Sequence, residues 1–367
     1  MNKPKILFIA TFPPPVHGSA VVSQQIHDSG VINDAFDANF VNISSSKTMD
    51  EVGKNSPIKF WRILSSYIRT IRMLLQHRYD LCYCAITING SCFLRDSVYV
   101  LLCKMFGRKV VIHQHNKGMS NYVDKPLFKW LYRMCYKNTK VILLSWYLYD
   151  DISAVVPKEN CMVCYNGIAP TNQPFSDNTC SNIPHILYLS NLIESKGALV
   201  LLDACKALKE MGYKFHCDFI GGDTQEISET RFRNLIVENK LSEVATYHGK
   251  VYGTDKDAYW AQADMFVFPT YYYNECFPLV LLEAMEKGKA CISTAEGGIR
   301  DIIDDGITGF IVDRNNSQSL ADAIEKLLKD PDMCKSMGNK GKKKYEEEFT
   351  QKKFEEQMCE CLQSCIK

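Results

Sequence analysis

Residues 266–298, FVFPTYYYNECFPLVLLEAMEKGKACISTAEGG, constrain this chain more than any other stretch. Read in order, they predict a buried strand end over 266–269, an aperiodic loop over 271–276, a helix, a second strand over 289–293, and a loop at Glu296, Gly297 and Gly298. Pro278 is expected in the first helical position, where its missing N–H would have had no intrahelical partner. Leu279, Val280, Leu281, Leu282, Ala284 and Met285 make the helix apolar almost all round. Gly288 is placed to close it in the left-handed conformation.

Two carboxylates frame this helix: Glu275 just before it and Glu283 in its second turn, with seven residues between them. A helix N-terminus offers unpaired N–H groups and partial positive charge, which suits a phosphate. A carboxylate beside such a site does not attract phosphate. It suits hydroxyls on either side, and a nucleotide sugar has that layout: ribose, diphosphate, sugar. The plainer alternative is a surface helix with one acid favoured by the dipole and another on a solvated face. The apolar surroundings favour the first, since a buried carboxylate needs a partner.

The segment ECFPLVLLEAMEKGKACISTAEGG resembles the signature of family-4 glycosyltransferases, which have the GT-B fold. The shared features are Glu, seven residues, Glu, a Phe-Pro step at the helix start, and a small-residue loop after the next strand. The resemblance implies an α/β protein of two doubly wound Rossmann-like domains facing across a cleft. It also implies retaining, metal-independent transfer of a sugar from a nucleoside diphosphate. Glu275, Cys276, Phe277, Pro278, Leu279 and Glu283 would then bind the donor, with Glu275 also catalytic.

The rest of the chain can be set against that expectation. A length of 367 residues fits two domains rather than one core. No apolar run reaches the roughly 18 residues that span a bilayer, and the N-terminus reads as a first strand rather than a secretion signal. Sixteen cysteines are scattered singly, and the C-x-C pairs at 82/84 and 359/361 lack a second half at zinc spacing. Buried free thiols and a reducing cytoplasm are expected. Residues 1–170 hold 20 basic and 11 acidic side chains, a balance of +9; the remainder balances at −8. One half is therefore suited to something anionic.

In the first half, a strand over 5–10 leads through TFPPPVHGSA into a helix, and Gly18 is expected to let backbone approach a ligand. Residues 57–78 show apolar positions at helical spacing, with Lys59, Arg62, Arg69, Arg72 and Arg78 among them and no acid. Such a helix either packs inward with a basic outer face or lies on an anionic membrane surface. KPLFKWLYR over 125–133 adds a second basic-aromatic patch. A strand over 109–113 runs into His115 and Asn116 at its carboxyl end. The resemblance gives His115 a catalytic contact with the donor sugar, Gly18 a place against the donor, and His17, Ser19 and Asn116 the acceptor.

Residues 169–182 have linker composition. The pattern then restarts: a strand over 185–190, the loop NLIESKG, and a helix. Lys196 places a cation where a diphosphate would sit and is taken as both catalytic and donor-binding. Asn191 stands where the family commonly has an arginine, and Val251 lies in the turn expected near the base. The expected domains are 1–168, with the terminal helix 350–367 packing back on it, and 183–349. The expected function is transfer from a nucleoside-diphosphate sugar, a UDP-sugar first, to a saccharide or lipid-linked saccharide in surface or capsular polysaccharide biosynthesis. No cofactor, metal or nucleic acid is expected, and the place is the cytoplasm or the inner membrane face. A non-catalytic nucleotide-sugar binder and a sugar-nucleotide epimerase are the alternatives.

Overall fold

The computed structural model describes residues 3–15, 18–48, 51, 56–171 and 183–367. The chain forms two compact units, Met1–Gly167 with Gln351–Lys367, and Ile168–Thr350.

Unit 1 runs β1 (Lys5–Ala10), α1 (Gly18–Asp28), α2 (Gly30–Ala35), β2 (Asp37–Asn42), α3 (Pro57–Gln76), β3 (Leu81–Cys84), α4 (Gly90–Met105), β4 (Val110–Gln114), α5 (Pro126–Tyr136), β5 (Lys140–Leu143) and β6 (Cys161–Val163). Unit 2 runs β7 (His185–Leu189), α6 (Ala198–Glu210), β8 (His216–Ile220), α7 (Glu229–Glu238), β9 (Ala245–Gly249), α8 (Gly253–Gln262), β10 (Met265–Phe268), α9 (Leu279–Glu286), β11 (Ala290–Thr294), α10 (Ile299–Ile302), β12 (Gly309–Val312), α11 (Ser317–Lys329) and α12 (Pro331–Lys344). A π-turn over Tyr345–Phe349 follows, and then α13 (Gln351–Ile366), which completes unit 1.

Each unit holds one six-stranded, wholly parallel sheet, ordered β2-β1-β3-β4-β5-β6 and β12-β11-β10-β7-β8-β9. Parallel strands covered on both faces must be apolar on both. β3 and β10 meet that condition with every residue buried, and β4 is buried throughout although it ends in His113 and Gln114. In β1 the faces alternate. Leu7 and Ile9 pack with Cys82, Cys84 and Ile112, whereas Ile6 and Phe8 pack with Tyr83 and with Phe354, Met358 and Leu362 of α13. In unit 2, Trp260 of α8 is buried against Phe266 of β10, ring centroids 5.1 Å apart.

The fifteen described cysteines are free thiols and most are buried. Among the described residues no helix is long and apolar enough to cross a membrane.

One local expectation needs correction. Pro278 is the cap of α9 rather than its first residue: its φ is −70° but its ψ of 117° is extended. The ring fixes only φ, so proline fits either position. Gly288 does close the helix, with φ +67°. Residues 146–151 form a 3₁₀ turn started by Ser145, whose hydroxyl accepts from the Tyr147 N–H at 3.0 Å. In α3, Leu74 is buried and Tyr67 packs against the same core, with Ile63, Leu64 and Ile71 half-buried, whereas Ile58, Trp61, Ile68 and Leu75 are exposed. The helix therefore has an inward apolar face and a second, outward apolar stripe.

Candidate functional site

In unit 2 the order reverses between β7 and β10: β8 and β9 extend one way, β11 and β12 the other. The loops after the two central strands diverge there, which leaves room for a ligand at the carboxyl edge of the sheet. The β7 loop carries Asn191 and Lys196; the β10 loop carries Glu275, Cys276, Phe277 and Pro278.

Backbone contacts fix these loops to each other. The Tyr271 N–H donates across to the Ser195 carbonyl at 2.8 Å, and within the β10 loop the Glu275 N–H donates to the Tyr272 carbonyl at 2.8 Å. A Cβ on Gly197 (φ +87°) would lie 2.2 Å from the Pro269 carbonyl oxygen. A Cβ on Gly297 (φ +52°) would lie 2.3 Å from the Glu275 carbonyl oxygen. Both positions need glycine twice over, for space and for backbone angle.

The result is a buried ion pair. Lys196 Nζ lies 2.5 Å from Glu275 Oε2, and Glu275 is 8% exposed. Thr270 Oγ1 donates to the same oxygen at 3.4 Å. The Lys196 ammonium also sits over the ring of Tyr272, 4.6 Å from its centroid, and over Phe268 at 5.5 Å. Lys196 and Glu275, given separate duties by the sequence, meet here as one unit with no net charge. Beside them, α9 begins at Pro278 without any side-chain cap. Its first-turn N–H groups are a place for an anion.

Glu283 sits differently from its expected setting. It is about a third exposed and pairs with Lys256 of α8 at 2.8 Å. Asn191 is committed as well: its Oδ1 accepts the Gly222 N–H at 3.1 Å. Lys250 bridges the space beside it. Its Cε would come within 2.4 Å of a Cβ placed on Gly222, so its stem crosses that glycine next to the Asn191 amide. Lys250 thus adds an exposed cation at the ends of β7, β8 and β9. Val251 follows it, half-buried.

Lys250 lies with Val251 in the turn that the sequence places near the base, just after Gly249, which ends β9 at φ +72°. Lys256 was missed from sequence, because it lies at no diagnostic spacing. Asp304 and Asp305 serve the turn before β12: Asp304 pairs with Lys344 at 2.7 Å, and Asp305 accepts the Ile311 N–H at 2.9 Å.

In unit 1 the order reverses at β1, between β2 and β3. His17 lies outside the described residues. Gly18 opens α1, exposed, and a Cβ there would meet no protein atom within 4 Å. Ser19 is half-buried, and its carbonyl accepts from Ser23 Oγ at 2.9 Å. At the end of β4, His113 is fully buried and shares a 2.6 Å hydrogen bond with the Tyr83 hydroxyl. Burial pushes its imidazole well below the usual range, so it stays neutral. The His115 ring lies against it, tilted by 47° with centroids 4.1 Å apart, and Asn116 follows, half-buried.

Elsewhere in unit 2, three histidines converge on Asp218: His248 at 2.7 Å, His185 at 3.2 Å and His216 at 3.5 Å. Burial alone would raise the Asp218 carboxyl, but the hydrogen bonds from all three hold it far below the usual carboxylate range. The hydrogen bond to Asp218 raises His185.

Two six-stranded parallel sheets, each doubly wound, define the architecture of the GT-B glycosyltransferases. Residues 172–344 match the family of glycosyl transferases group 1. It is 27% identical over 214 residues to the putative colanic acid biosynthesis glycosyltransferase WcaL of Salmonella typhimurium, covering 57% of this chain and 52% of that protein. It is 28% identical over 163 residues to the capsular polysaccharide biosynthesis glycosyltransferase CapM of Staphylococcus aureus, covering 44% and 41%. The matched part thus spans about half the length of such relatives. Among solved structures, HepE of Anabaena in complex with UDP shares the fold with a TM-score of 0.75 at 19% identity, over 98% of this chain and 100% of that one.

Proposed function

We propose that this protein is a glycosyltransferase that moves a sugar from a nucleoside-diphosphate sugar, a UDP-sugar first, to a saccharide or lipid-linked saccharide in surface or capsular polysaccharide assembly. The observation that carries the reading is the Lys196–Glu275 pair beside the uncapped start of α9, at the switch point of the second sheet. A diphosphate fits there because it can take the α9 N–H groups and the Lys196 ammonium, which frees the Glu275 carboxylate for sugar hydroxyls. Glu283 is suited to ribose hydroxyls once they replace Lys256. Lys250 adds positive charge on the side where Asn191 has none.

In this reading the leaving diphosphate is stabilised by fixed cations and N–H dipoles. Transfer proceeds with retention and without a metal or cofactor, by front-face substitution assisted by the departing phosphate. His115 contacts the donor sugar, and Ser19, Asn116 and His17 serve the acceptor. The reaction belongs to the cytoplasm or the inner membrane face.

The test is a thermal-shift panel of UDP, GDP and ADP followed by a donor panel for transfer. A nucleotide that binds only the folded state at a hundred times its Kd adds about 2.7 kcal/mol, so UDP should raise Tm most. Glu283→Ala should weaken nucleotide affinity, and Glu275→Ala should mainly lower turnover. If neither changes anything, the site assignment is wrong. UDP binding without donor hydrolysis or transfer points to a binding protein, and a new epimer from the UDP-sugar alone points to an epimerase.

A further inference from the structure

The helices α3 and α5 turn apolar side chains outward in regular stripes. On α3 the exposed positions include 58, 61, 65, 68, 72 and 75, a three-four spacing that marks one helix face. Ile58, Trp61, Ile68 and Leu75 hold four of those six places, with Trp61 64% and Leu75 70% exposed. On α5, Leu127, Trp130 and Met134 repeat the pattern, while Leu131, Tyr132, Cys135 and Tyr136 face the core.

α4 joins the two into one layer. Tyr67 of α3 donates to the Arg95 carbonyl at 2.9 Å, and Phe93 of α4 stacks on Tyr132 of α5 with centroids 4.3 Å apart. Neither α3 nor α5 contains an acid. Arg69, Arg72, Lys129 and Arg133 stand exposed among the apolar positions. Scattered surface apolar residues need no explanation, but a contiguous face of this kind marks an interaction surface.

We propose that this face of unit 1 docks on a lipid bilayer containing anionic phospholipid. A second copy of the chain would bring the same cations together with no acid on these helices to meet them. Anionic headgroups meet those cations, tryptophan is at home at the headgroup level, and the aliphatic side chains enter the acyl boundary. The inference deepens the acceptor side of the proposed function, because a lipid-linked acceptor sits at such a surface. Its geometry, however, comes from unit 1 alone.

The experiment is flotation of the full chain with phosphatidylcholine vesicles, with and without phosphatidylglycerol, at low and raised salt. The wild type should float with the anionic vesicles and with neutral ones at least about tenfold less, and salt should weaken the binding. W61S/W130S and R69Q/R72Q should each lose about tenfold in apparent affinity for anionic vesicles. The altered side chains are exposed, so both variants should melt like the wild type. Brominated acyl chains should quench wild-type tryptophan fluorescence more than that of W61S/W130S. Equal flotation of wild type and both variants overturns the proposal. So does equal binding to neutral vesicles, or a concentration-dependent dimer in sedimentation that does not float. The UDP thermal shift of W61S/W130S keeps the two readings apart: lipid binding lost with the shift retained concerns this face, and a shift absent from the wild type concerns the donor site.

Discussion

Lys196 and Glu275 form a pair whose loss has two effects, and a test of the site must separate them. Breaking a buried pair leaves one charge uncompensated, which costs about 3–5 kcal/mol for a fully buried pair. Both side chains keep some exposure, so E275Q and K196M should each lose about 2–3 kcal/mol in urea unfolding. The double variant K196M/E275Q should lose clearly less than the sum, because no charge is stranded. A double variant that loses the full sum would mean that the pair does not couple. Gly297→Ala is a different kind of probe. Its positive φ and the 2.3 Å approach to the Glu275 carbonyl oxygen should cost about 2 kcal/mol or more and shift the loop that carries the carboxylate. Retained stability in that variant would show that the two loops are not packed as described.

Among elements, the strands of unit 2 carry a pH dependence of their own. Asp218 on β8 is met by His185 of β7, His216 of β8 itself and His248 of β9; Asp264 also faces His185, and Tyr259 of α8 shares a 3.0 Å hydrogen bond with His248. The raised His185 contributes stability that is complete below its unfolded value, about 6.5, and is lost as pH rises through its folded value. The depressed Asp218 contributes stability that is present above its unfolded value, about 3.9, and is lost as pH falls toward its folded value. These are two views of one interaction and count once. The Tm should therefore fall as pH rises above about 6.5 through the folded value of His185, and Asp218→Asn should flatten that slope. An unchanged slope in the variant would exclude the cluster as its source. Legibility from sequence follows the same division. Strands such as β1, β4 and β10 were readable because burial on both faces leaves continuous apolar runs. α9 and its carboxylates were readable because a helix between two such strands has few alternatives. The Asp218 cluster was not, because register across three strands brings together residues some thirty positions apart. Nor was the division of α3: spacing shows its apolar positions, but not which of them the fold covers and which it leaves exposed. Lys256 was hidden for a similar reason, since a helix lysine acquires its role only from the acid that tertiary structure sets beside it.

At the scale of the whole molecule, the order of the chain differs from the order of its units. Unit 1 begins at the N-terminus but is finished by α13, after all of unit 2. α13 covers one face of the first sheet with Phe354, Met358 and Leu362, packed with Ile6, Phe8 and Tyr83. Removing those three side chains from the core uncovers apolar area worth on the order of 5 kcal/mol, at about 1.5–3 kcal/mol for each large side chain. That is comparable to the whole stability of many domains. A chain truncated after Thr350 should therefore leave unit 1 unfolded or aggregation-prone, while unit 2, which keeps all of β7–β12, melts near its normal temperature. Limited proteolysis of the truncated chain should cut within residues 1–167 and leave a protected fragment covering 168–350. The Leu362→Ala variant of the full chain gives a graded version: a cavity against β1 should cost about 2–4 kcal/mol and lower only the transition that belongs to unit 1. A single transition that shifts as a whole in both proteins would mean instead that the two units unfold as one.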